Sequence, residues 1–148
     1  MEIHFHRPYI TEDEVEAAVN SIRSGWLTMG KKTIEFEKSV SDYLDIPHAI
    51  ALNSCTSALH LALKVIGIKP GEEVIIPSMT FIATANVVLH EGAKPVIIDI
   101  DRDTHQMDVN KIEENISDKT RAIIPVHYAG QPCEMDKILE IAEKYNLY

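Results

Sequence analysis

The first third of the chain carries apolar residues at the spacing of two amphipathic helices. Thr11 and Glu14 form the pattern of a capping box, in which each side chain accepts from the other residue's backbone N–H. Apolar residues then recur at helical spacing until Gly25, where the helix should end. A loop from Trp26 to Lys32 precedes a second helix. Its predicted inner side carries Phe36, Val40, Tyr43 and Leu44.

From residue 48 onward the pattern changes to alternating strands and helices. Strands are predicted at 48–52, 74–77, 95–99 and 122–126, and helices at 57–66, 81–90, 110–116 and 135–145. The strands are continuous apolar runs, which is typical of a parallel sheet with helices on both faces. The helix at 57–66 is apolar nearly all round, so we expect it to be buried on several sides. The predicted fold class is α/β, truncated at 146–148, where a fifth strand should begin.

The composition narrows the classes of partner. The 148 residues include 14 Lys and Arg against 23 Asp and Glu, which gives a net charge of −9. Nucleic acid is not an expected partner, because binding its backbone requires clustered cations. No apolar run reaches the roughly 18–20 residues of a membrane span, and the N-terminus lacks the apolar core of a secretory signal. Cys55 and Cys133 match no metal or redox spacing, which indicates a reduced, cytoplasmic setting.

Two segments bear on phosphate binding. The residues from Gly25 to Lys32 nearly match a P-loop, but a P-loop follows a strand and has Ser or Thr where Lys32 stands. We therefore interpret this segment as a surface or active-site loop. The residues from Asn53 to Ser57 open a helix after a strand, so free N–H groups and the helix dipole could hold an anion. Plain N-capping by Ser54 or Thr56 is the alternative.

An aromatic residue and a histidine follow predicted strands. Ligands of open α/β sheets bind beyond the carboxyl ends of the strands, and both residues belong to that edge. Phe81 could stack there on an aromatic ring, although chemistry alone favours a core Phe. His127 would face the same edge as Thr56 and Phe81, which suits either a binding role or a structural histidine.

Two pairs of residues have a metal-binding alternative. Asp99 and Asp101 form the Asp-x-Asp pair that holds a metal in many sugar-nucleotide transferases, but acidic residues at a strand end are also common turn formers. His4 and His6 share one face of an extended segment and could bind a metal together. Both patterns are weak signals, and we predict no metal site.

Five segments in a fixed order resemble one family. They read SGWLTMG at 24–30, NSCTSALH at 53–60, PSMTFIATAN at 77–86, GAKPV at 92–96 and IPVHYAGQP at 124–132. Together they resemble the DegT/DnrJ-type sugar aminotransferases over essentially the whole chain. These are fold-type I enzymes that use pyridoxal 5′-phosphate (PLP). The resemblance implies transfer of an amino group, usually from glutamate, to a nucleotide-linked keto-sugar, for cell-surface polysaccharide or modified-sugar biosynthesis.

The resemblance also implies roles for particular residues. The backbone N–H groups of Thr56 and Ser57 would hold the PLP phosphate, Phe81 would stack on the pyridine ring, and His127 would lie close to the cofactor. The loop between the first two helices would lie near the sugar-nucleotide site and often reaches a partner subunit in these homodimers. Its predicted substrate-binding residues are Gly25, Trp26 and Thr28.

The resemblance implies that the chain has two regions and that some catalytic residues of the family lie outside it. Residues 1–47 would form N-terminal helices and an active-site loop, and 48–148 a partial cofactor-binding α/β large domain. The family's Schiff-base lysine and the Asp that bonds the pyridine nitrogen would be expected after Tyr148. We therefore predict no catalytic residue within the 148 residues, and no activity for them alone.

Truncation would also affect folding, because the strand at 48–52 would lack its neighbour and leave backbone groups unpaired.

Two other functions remain open. One is a non-catalytic fragment that binds only the cofactor phosphate. The other is a metal-dependent sugar-nucleotide transferase that uses Asp99 and Asp101.

Overall fold

The computed structural model describes residues 7–148, and these fall into two compact units. The first unit ends at Ala51 and the second begins at Leu52. The suggested metal-binding pair, His4 and His6, lies outside the described residues. Within residues 7–148, none of the helices combines the length and the apolar character that crossing a membrane requires.

The first unit is a pair of helices, α1 (Glu12–Arg23) and α2 (Lys31–Leu44). The predicted capping box at the start of α1 is confirmed. Thr11 N–H donates to Glu14 Oε2 at 2.6 Å, and the Thr11 hydroxyl oxygen accepts from Asp13 N–H at 3.3 Å. These bonds satisfy polar groups that the first turn of a helix leaves without partners.

The predicted inner side of α2 is exposed in this unit. None of residues 7–51 is buried. The exposed fraction is 59% for Phe36, 89% for Tyr43 and 56% for Leu44, and Val40 is half-buried. The prediction that these side chains face inward is therefore wrong for the unit itself. Helical spacing shows which residues share a face, but burial of that face requires a partner surface that two short helices do not provide.

The strand predicted at 48–52 is absent from the described structure. These residues adopt no regular secondary structure, and Ala51 N–H donates to the Glu37 carboxylate at 2.9 Å. A strand is defined by bonds to a neighbour, and residues 7–148 offer this segment no neighbouring strand. The strand prediction is wrong here for the reason that the sequence itself suggested, which is the lack of a partner.

The second unit is built on a three-stranded parallel sheet. Its strands are β1 (Glu73–Pro77), β2 (Lys94–Ile98) and β3 (Thr120–Ile123), in the order β2-β1-β3. Its helices are α3 (Cys55–Ile66), α4 (Ala83–His90) and α5 (Met135–Tyr145). In the register of the sheet, Ile75 pairs with Val96 on one side and Ile123 on the other. The predicted α/β class with a parallel sheet is confirmed.

The central strand β1 supplies the core on both faces of the sheet. Val74 and Ile76 pack in one buried cluster with residues of α3 and α4, including Leu63 and Val87. Ile75, which points the other way, packs in a second cluster that includes residues of α5. A strand covered on both faces has no reason to alternate apolar and polar residues, which explains the continuous run at 74–77.

Three other predictions need correction in the second unit. The predicted helix at 110–116 is a pair of 3₁₀ turns, Val109–Lys111 and Glu113–Asn115, and β3 ends at Ile123 rather than at 126. Leu63 is the one buried residue of α3, while Val65 is 85% exposed. Helix α3 is therefore not buried on several sides. Its apolar surface exceeds what this unit can cover.

The residue Tyr148 continues the sheet beyond β3. Its N–H donates to the Arg121 carbonyl at 3.0 Å, and its carbonyl accepts from Ile123 N–H at 2.9 Å. Tyr148 thus bonds the residues before and after Ala122, which is the hydrogen-bond pattern of two parallel strands. This pairing agrees with the fifth strand predicted to begin at 146–148.

Candidate functional site

The start of α3 combines a side-chain cap with unused backbone donors. Ser54 is the N-cap residue, and its hydroxyl accepts from Ser57 N–H at 3.1 Å. The Ser57 hydroxyl donates in turn to Asn53 Oδ1 at 2.7 Å. Among the described residues, no protein acceptor faces the N–H groups of Cys55 and Thr56. Two donors at the positive end of the helix dipole are therefore available for an anion.

The capping bond changes the expectation for one of the two predicted phosphate contacts. Ser57 N–H is already used by Ser54, so the N-capping alternative is realised at that amide. Thr56 N–H is free in this part of the chain, and the residue is exposed. Capping and anion binding are thus compatible here, because they use different N–H groups of the same turn.

Phe81 lies beyond the carboxyl end of β1 and is 77% exposed. The interpretation as a core Phe is therefore wrong. The buried face of α4 begins at Ala83 and continues through Thr84, so Phe81 precedes the helix and does not share that face. The Thr80 and Thr84 hydroxyls, 2.7 Å apart, link the residues that precede α4 to the first turn of this helix. Phe81 therefore presents an exposed apolar ring beyond the end of the strand.

His127 follows β3 in a tight turn and is exposed on the surface of the unit. Its Nδ1 accepts a hydrogen bond from Cys133 N–H at 3.1 Å. Ala129, within the turn, has a φ of 54°, in the left-handed region that non-glycine residues rarely occupy. The imidazole is therefore held by the protein at one nitrogen, while its other nitrogen is not engaged by the described residues.

The topology places Phe81 and His127 at the same edge of the sheet. Strands β1 and β3 are parallel neighbours, and each residue follows the carboxyl end of its strand. Helix α3 leads into the start of β1 through a short turn, so its N-terminus points back toward the carboxyl edge. Thr56 and Ser57 therefore belong to this edge as well, which is where open α/β sheets bind ligands.

The predicted substrate loop lies in the first unit, between α1 and α2. The Trp26 indole Nε1 donates to the Met29 carbonyl at 2.9 Å, which closes the loop on itself. A Cβ on Gly30 would lie 2.3 Å from Nε1, so only glycine permits this close approach. Trp26 and Thr28 line an open cavity of about 800 Å³ between the two helices. Gly25 follows the C-cap residue of α1, has a φ of 73°, and does not line the cavity.

The second residue of the Asp-x-Asp pair, Asp101, holds the turn that follows it. Asp101 Oδ1 accepts from the backbone N–H groups of Asp103 and Thr104, at 3.0 and 2.8 Å, and from the Thr104 hydroxyl. The Thr104 N–H and hydroxyl hold the pKa of Asp101 below its ordinary value. Asp99 is exposed, and within residues 7–148 no three acidic, His or Cys side chains are grouped to hold a metal ion.

Two buried residues near His127 were missed by the sequence analysis. Gln106 and Cys133 are each 5% exposed, and both contact the turn that carries His127. Cys133 has no metal or redox spacing to Cys55, and such spacing is the signal that marks a functional cysteine in a sequence. A single glutamine in a loop carries no periodic signal, so the sequence alone offered no means of finding it.

Two relatives of the chain are named for the synthesis of a polysaccharide or of a nucleotide-linked sugar. The chain is 45% identical to the spore coat polysaccharide biosynthesis protein SpsC of Bacillus subtilis, over 95% of the chain and 36% of that protein. It is 46% identical to GDP-perosamine synthase of Caulobacter vibrioides, over 95% of the chain and 38% of that protein. The chain thus spans a little over a third of the length of these curated relatives.

A solved structure and a family model agree with these relatives. The Streptococcus pneumoniae protein Spr1654, solved in its PLP form, superposes with a TM-score of 0.91 at 45% identity. The match covers 98% of the chain and 37% of that protein, so the fold is part of a fold-type I aminotransferase. The model of the DegT/DnrJ/EryC1/StrS aminotransferase family matches residues 8–148. The chain therefore belongs to the DegT/DnrJ/EryC1/StrS aminotransferase family.

Proposed function

We propose that the chain is the N-terminal part of a PLP-dependent aminotransferase. The enzyme would transfer an amino group, from glutamate, to a nucleotide-linked keto-sugar in polysaccharide or modified-sugar biosynthesis. The observation that carries this proposal is the match to a solved PLP form over 98% of the chain at a TM-score of 0.91. We further propose a cytoplasmic homodimer, the setting in line with the cysteine pattern and the dimer with the family resemblance.

The residues at the start of α3 fit the phosphate of the cofactor. Cys55 and Thr56 N–H groups have no acceptor among the described residues, and the Thr56 hydroxyl is exposed beside them. A phosphate placed there would accept these bonds and would gain from the helix dipole. Ser57 would contribute its N–H only by sharing it with Ser54. Thr56 is therefore the stronger of the two proposed phosphate contacts.

Phe81 and His127 fit the ring of the cofactor. The exposed aromatic face of Phe81 would stack on a flat heterocycle and exclude water from that side. His127 would offer a polar group from the neighbouring strand end. When bound, PLP supplies the electron sink for amino transfer, and these residues supply its orientation.

The loop of the first unit is proposed to bind the sugar nucleotide. Gly25, Trp26 and Thr28 belong to this loop, and Trp26 offers a largely exposed indole, held by its bond to Met29. Such a ring could stack on a nucleotide base or cover an apolar sugar face. Most of the exposed surface of its cavity is apolar, and polar side chains such as Thr28 also line it, a combination that suits a small-molecule site.

The phosphate contact can be tested with a charge at Thr56. Thr56→Glu places a carboxylate in the first turn of α3, where it favours the helix but repels a phosphate. We expect pyridoxamine 5′-phosphate to bind about tenfold more weakly or worse, because two like charges about 4 Å apart cost roughly 1 kcal/mol even in water and more at a protein surface. Isothermal titration would measure the affinity. This ligand avoids the reaction of PLP with surface lysines.

Two controls make the result specific. Thr56→Gln has the same length without the charge and should bind several-fold more tightly than Thr56→Glu. Pyridoxamine, which lacks the phosphate, should not distinguish the two variants. Equal affinity of Thr56→Glu and Thr56→Gln for the phosphorylated ligand would contradict the proposed site. In the natural protein that carries this region, the same pair should differ in amino-sugar formation from glutamate.

A further inference from the structure

The buried Gln106 side chain contacts the turn around His127 from a separate part of the chain. It lies on the connection between β2 and β3 and is 5% exposed. Its Nε2 donates to the carbonyls of Thr104 and Tyr128, each at 3.3 Å. Its Oε1 accepts from Tyr128 N–H at 3.3 Å and lies 3.2 Å from Cys133 Sγ. A buried amide with this many partners fixes the segments that it joins.

These contacts reach both sides of His127. Tyr128 is the next residue in the chain, and Gln106 bonds both its N–H and its carbonyl. Cys133 supplies the N–H that donates to His127 Nδ1, and its thiol lies between Gln106 Oε1 and the Val126 carbonyl, 3.2 Å from each. Gln106 therefore holds the donor of the imidazole bond and the backbone that carries the imidazole.

The bond from Cys133 decides which nitrogen of His127 carries the proton. A backbone N–H can only donate, so Nδ1 must be the unprotonated acceptor. The neutral ring then has its proton on Nε2. Because His127 is exposed and no described residue bonds Nε2, this N–H is a donor on the open side of the turn.

We propose that Gln106 is a positioning residue that fixes His127 as an Nε2–H donor at the carboxyl edge of the sheet. It acts through Cys133 and Tyr128 and does not itself reach the open edge. The use of this donor toward the cofactor rests on the proposed function. The fixed tautomer does not, because it follows from hydrogen bonds within the second unit.

The bond between Cys133 N–H and His127 Nδ1 can be observed directly. In the uniformly ¹⁵N-labelled chain, NMR detects scalar coupling across an N–H···N hydrogen bond as a cross-peak between the two nitrogens. We expect this cross-peak in the wild-type chain and its loss in Gln106→Met, which keeps the side-chain volume and removes every polar contact. Cys133→Ala keeps the N–H but loses the thiol contact to Gln106, so the cross-peak should weaken without disappearing.

A matched control separates positioning from general destabilisation. Thr120 is 1% exposed and accepts from Ser117 N–H at 2.9 Å, away from the turn. Thr120→Val removes a comparable buried bond in the same unit and should leave the cross-peak unchanged. If Gln106→Met does not fold, Gln106→Glu decides the matter. It keeps the acceptor oxygen and loses the donations to Thr104 and Tyr128, so the cross-peak should weaken.

The proposal and the proposed function fail in different ways. Absence of the cross-peak in the wild-type chain, or its full strength in a folded Gln106 variant, would overturn the positioning role. Failure of the wild-type chain to bind pyridoxamine 5′-phosphate would count against the function while leaving the tautomer intact. If the ligand binds, Gln106→Met should weaken its affinity several-fold. An unchanged affinity despite loss of the cross-peak would remove His127 from the cofactor site.

Discussion

Each of the two units of the chain is stabilised by a different kind of interaction. The second unit has a buried cluster on each face of its sheet, with β1 contributing to both. In the first unit, none of residues 7–51 is buried, and α1 and α2 depend on local contacts. Examples are the capping bonds of Thr11 and the pair of Lys38 and Asp42 at 2.8 Å. An exposed pair of this kind contributes only about 0.3–0.5 kcal/mol.

The stability of the described residues should lie mainly in the second unit. Apolar burial is the main favourable term in folding, and only the second unit has it in quantity. The first unit instead displays large apolar side chains, such as Tyr43 at 89% and Ile34 at 60% exposure. Exposed apolar surface of this extent is typical of an interaction site. The second unit should therefore unfold cooperatively. The first unit should become more stable when a binding partner covers its exposed apolar side chains.

The largest effect on the free energy of unfolding is expected at Ile75, and Ile34 serves as the comparison. Ile75 is fully buried in the central strand, whereas Ile34 is 60% exposed on α2. Ile75→Ala should lower the free energy of unfolding by about 2–5 kcal/mol, through lost burial and the cavity left behind. Ile34→Ala should change it by roughly 0.5 kcal/mol or less. Urea unfolding followed by circular dichroism would measure both, and equal losses would contradict the contrast between the units.

A buried carboxylate should make the second unit sensitive to acid. Glu91 Oε2 lies 3.0 Å from Lys64 Nζ, and Oε1 lies 2.6 Å from His60 Nε2, so the cluster joins the end of α4 to α3. The hydrogen bond from Lys64, and then that from His60, hold the pKa of Glu91 below its ordinary value of 4.5, against the opposing effect of desolvation. The cluster should therefore stabilise the unit fully above about pH 4.5, and the contribution should disappear as pH falls through the lower folded pKa.

Removing the charge would test this cluster. Glu91→Gln should lower the urea midpoint of unfolding at pH 7. It should also make this midpoint decline less steeply as the pH falls below about 5. Urea unfolding curves at several pH values would measure both effects. Lys64→Met should move the carboxyl titration of Glu91 back toward 4.5. The first unit supplies the contrast. The pKa of Glu14 is lowered by the Thr11 hydroxyl and N–H, so its protonation should loosen only the start of α1. A Glu91→Gln variant as acid-sensitive as the wild type would rule the cluster out.

The sequence predicted best what is decided locally. The capping box at Thr11 and the bounds of α5 at Met135 and Tyr145 follow from side chains within a few residues of each other. The parallel sheet was also predictable, because the apolar run at 74–77 is the pattern of a strand covered twice. These features depend on periodicity and capping, which a single sequence displays.

What could not be predicted depends on neighbours distant in sequence. The segment 48–52 has the composition of a strand but no partner among the described residues. Phe81 could be a core or a surface residue by chemistry, and only the start of α4 at Ala83 decided between them. The role of Gln106 arises from atoms of Tyr128 and Cys133, more than twenty positions away. Such contacts leave no periodic mark in the sequence.

The smallest effect on stability is expected at Gly30, where the change should be seen in the spectrum of Trp26. Gly30 has an extended backbone that any residue can adopt, but a Cβ would lie 2.3 Å from the indole Nε1. Gly30→Ala should displace the ring and break its bond to the Met29 carbonyl. The lost bond, about 0.5–1.5 kcal/mol, and the reduced entropy of the unfolded chain, about 0.4–1 kcal/mol, nearly cancel.

The matched control comes from the second unit. Gly67 caps α3 with a φ of 80° and has open space where a Cβ would stand, so Gly67→Ala should cost about 1 kcal/mol of backbone strain without moving Trp26. Because the chain has a single Trp, its fluorescence reports the loop alone. Gly30→Ala should shift the emission to the red and increase quenching by iodide with little change in the urea midpoint, whereas Gly67→Ala should do the reverse. An unshifted emission in Gly30→Ala would mean that the loop yields in place of the ring, and that local contacts fix the first unit less firmly than the bond to Met29 suggests.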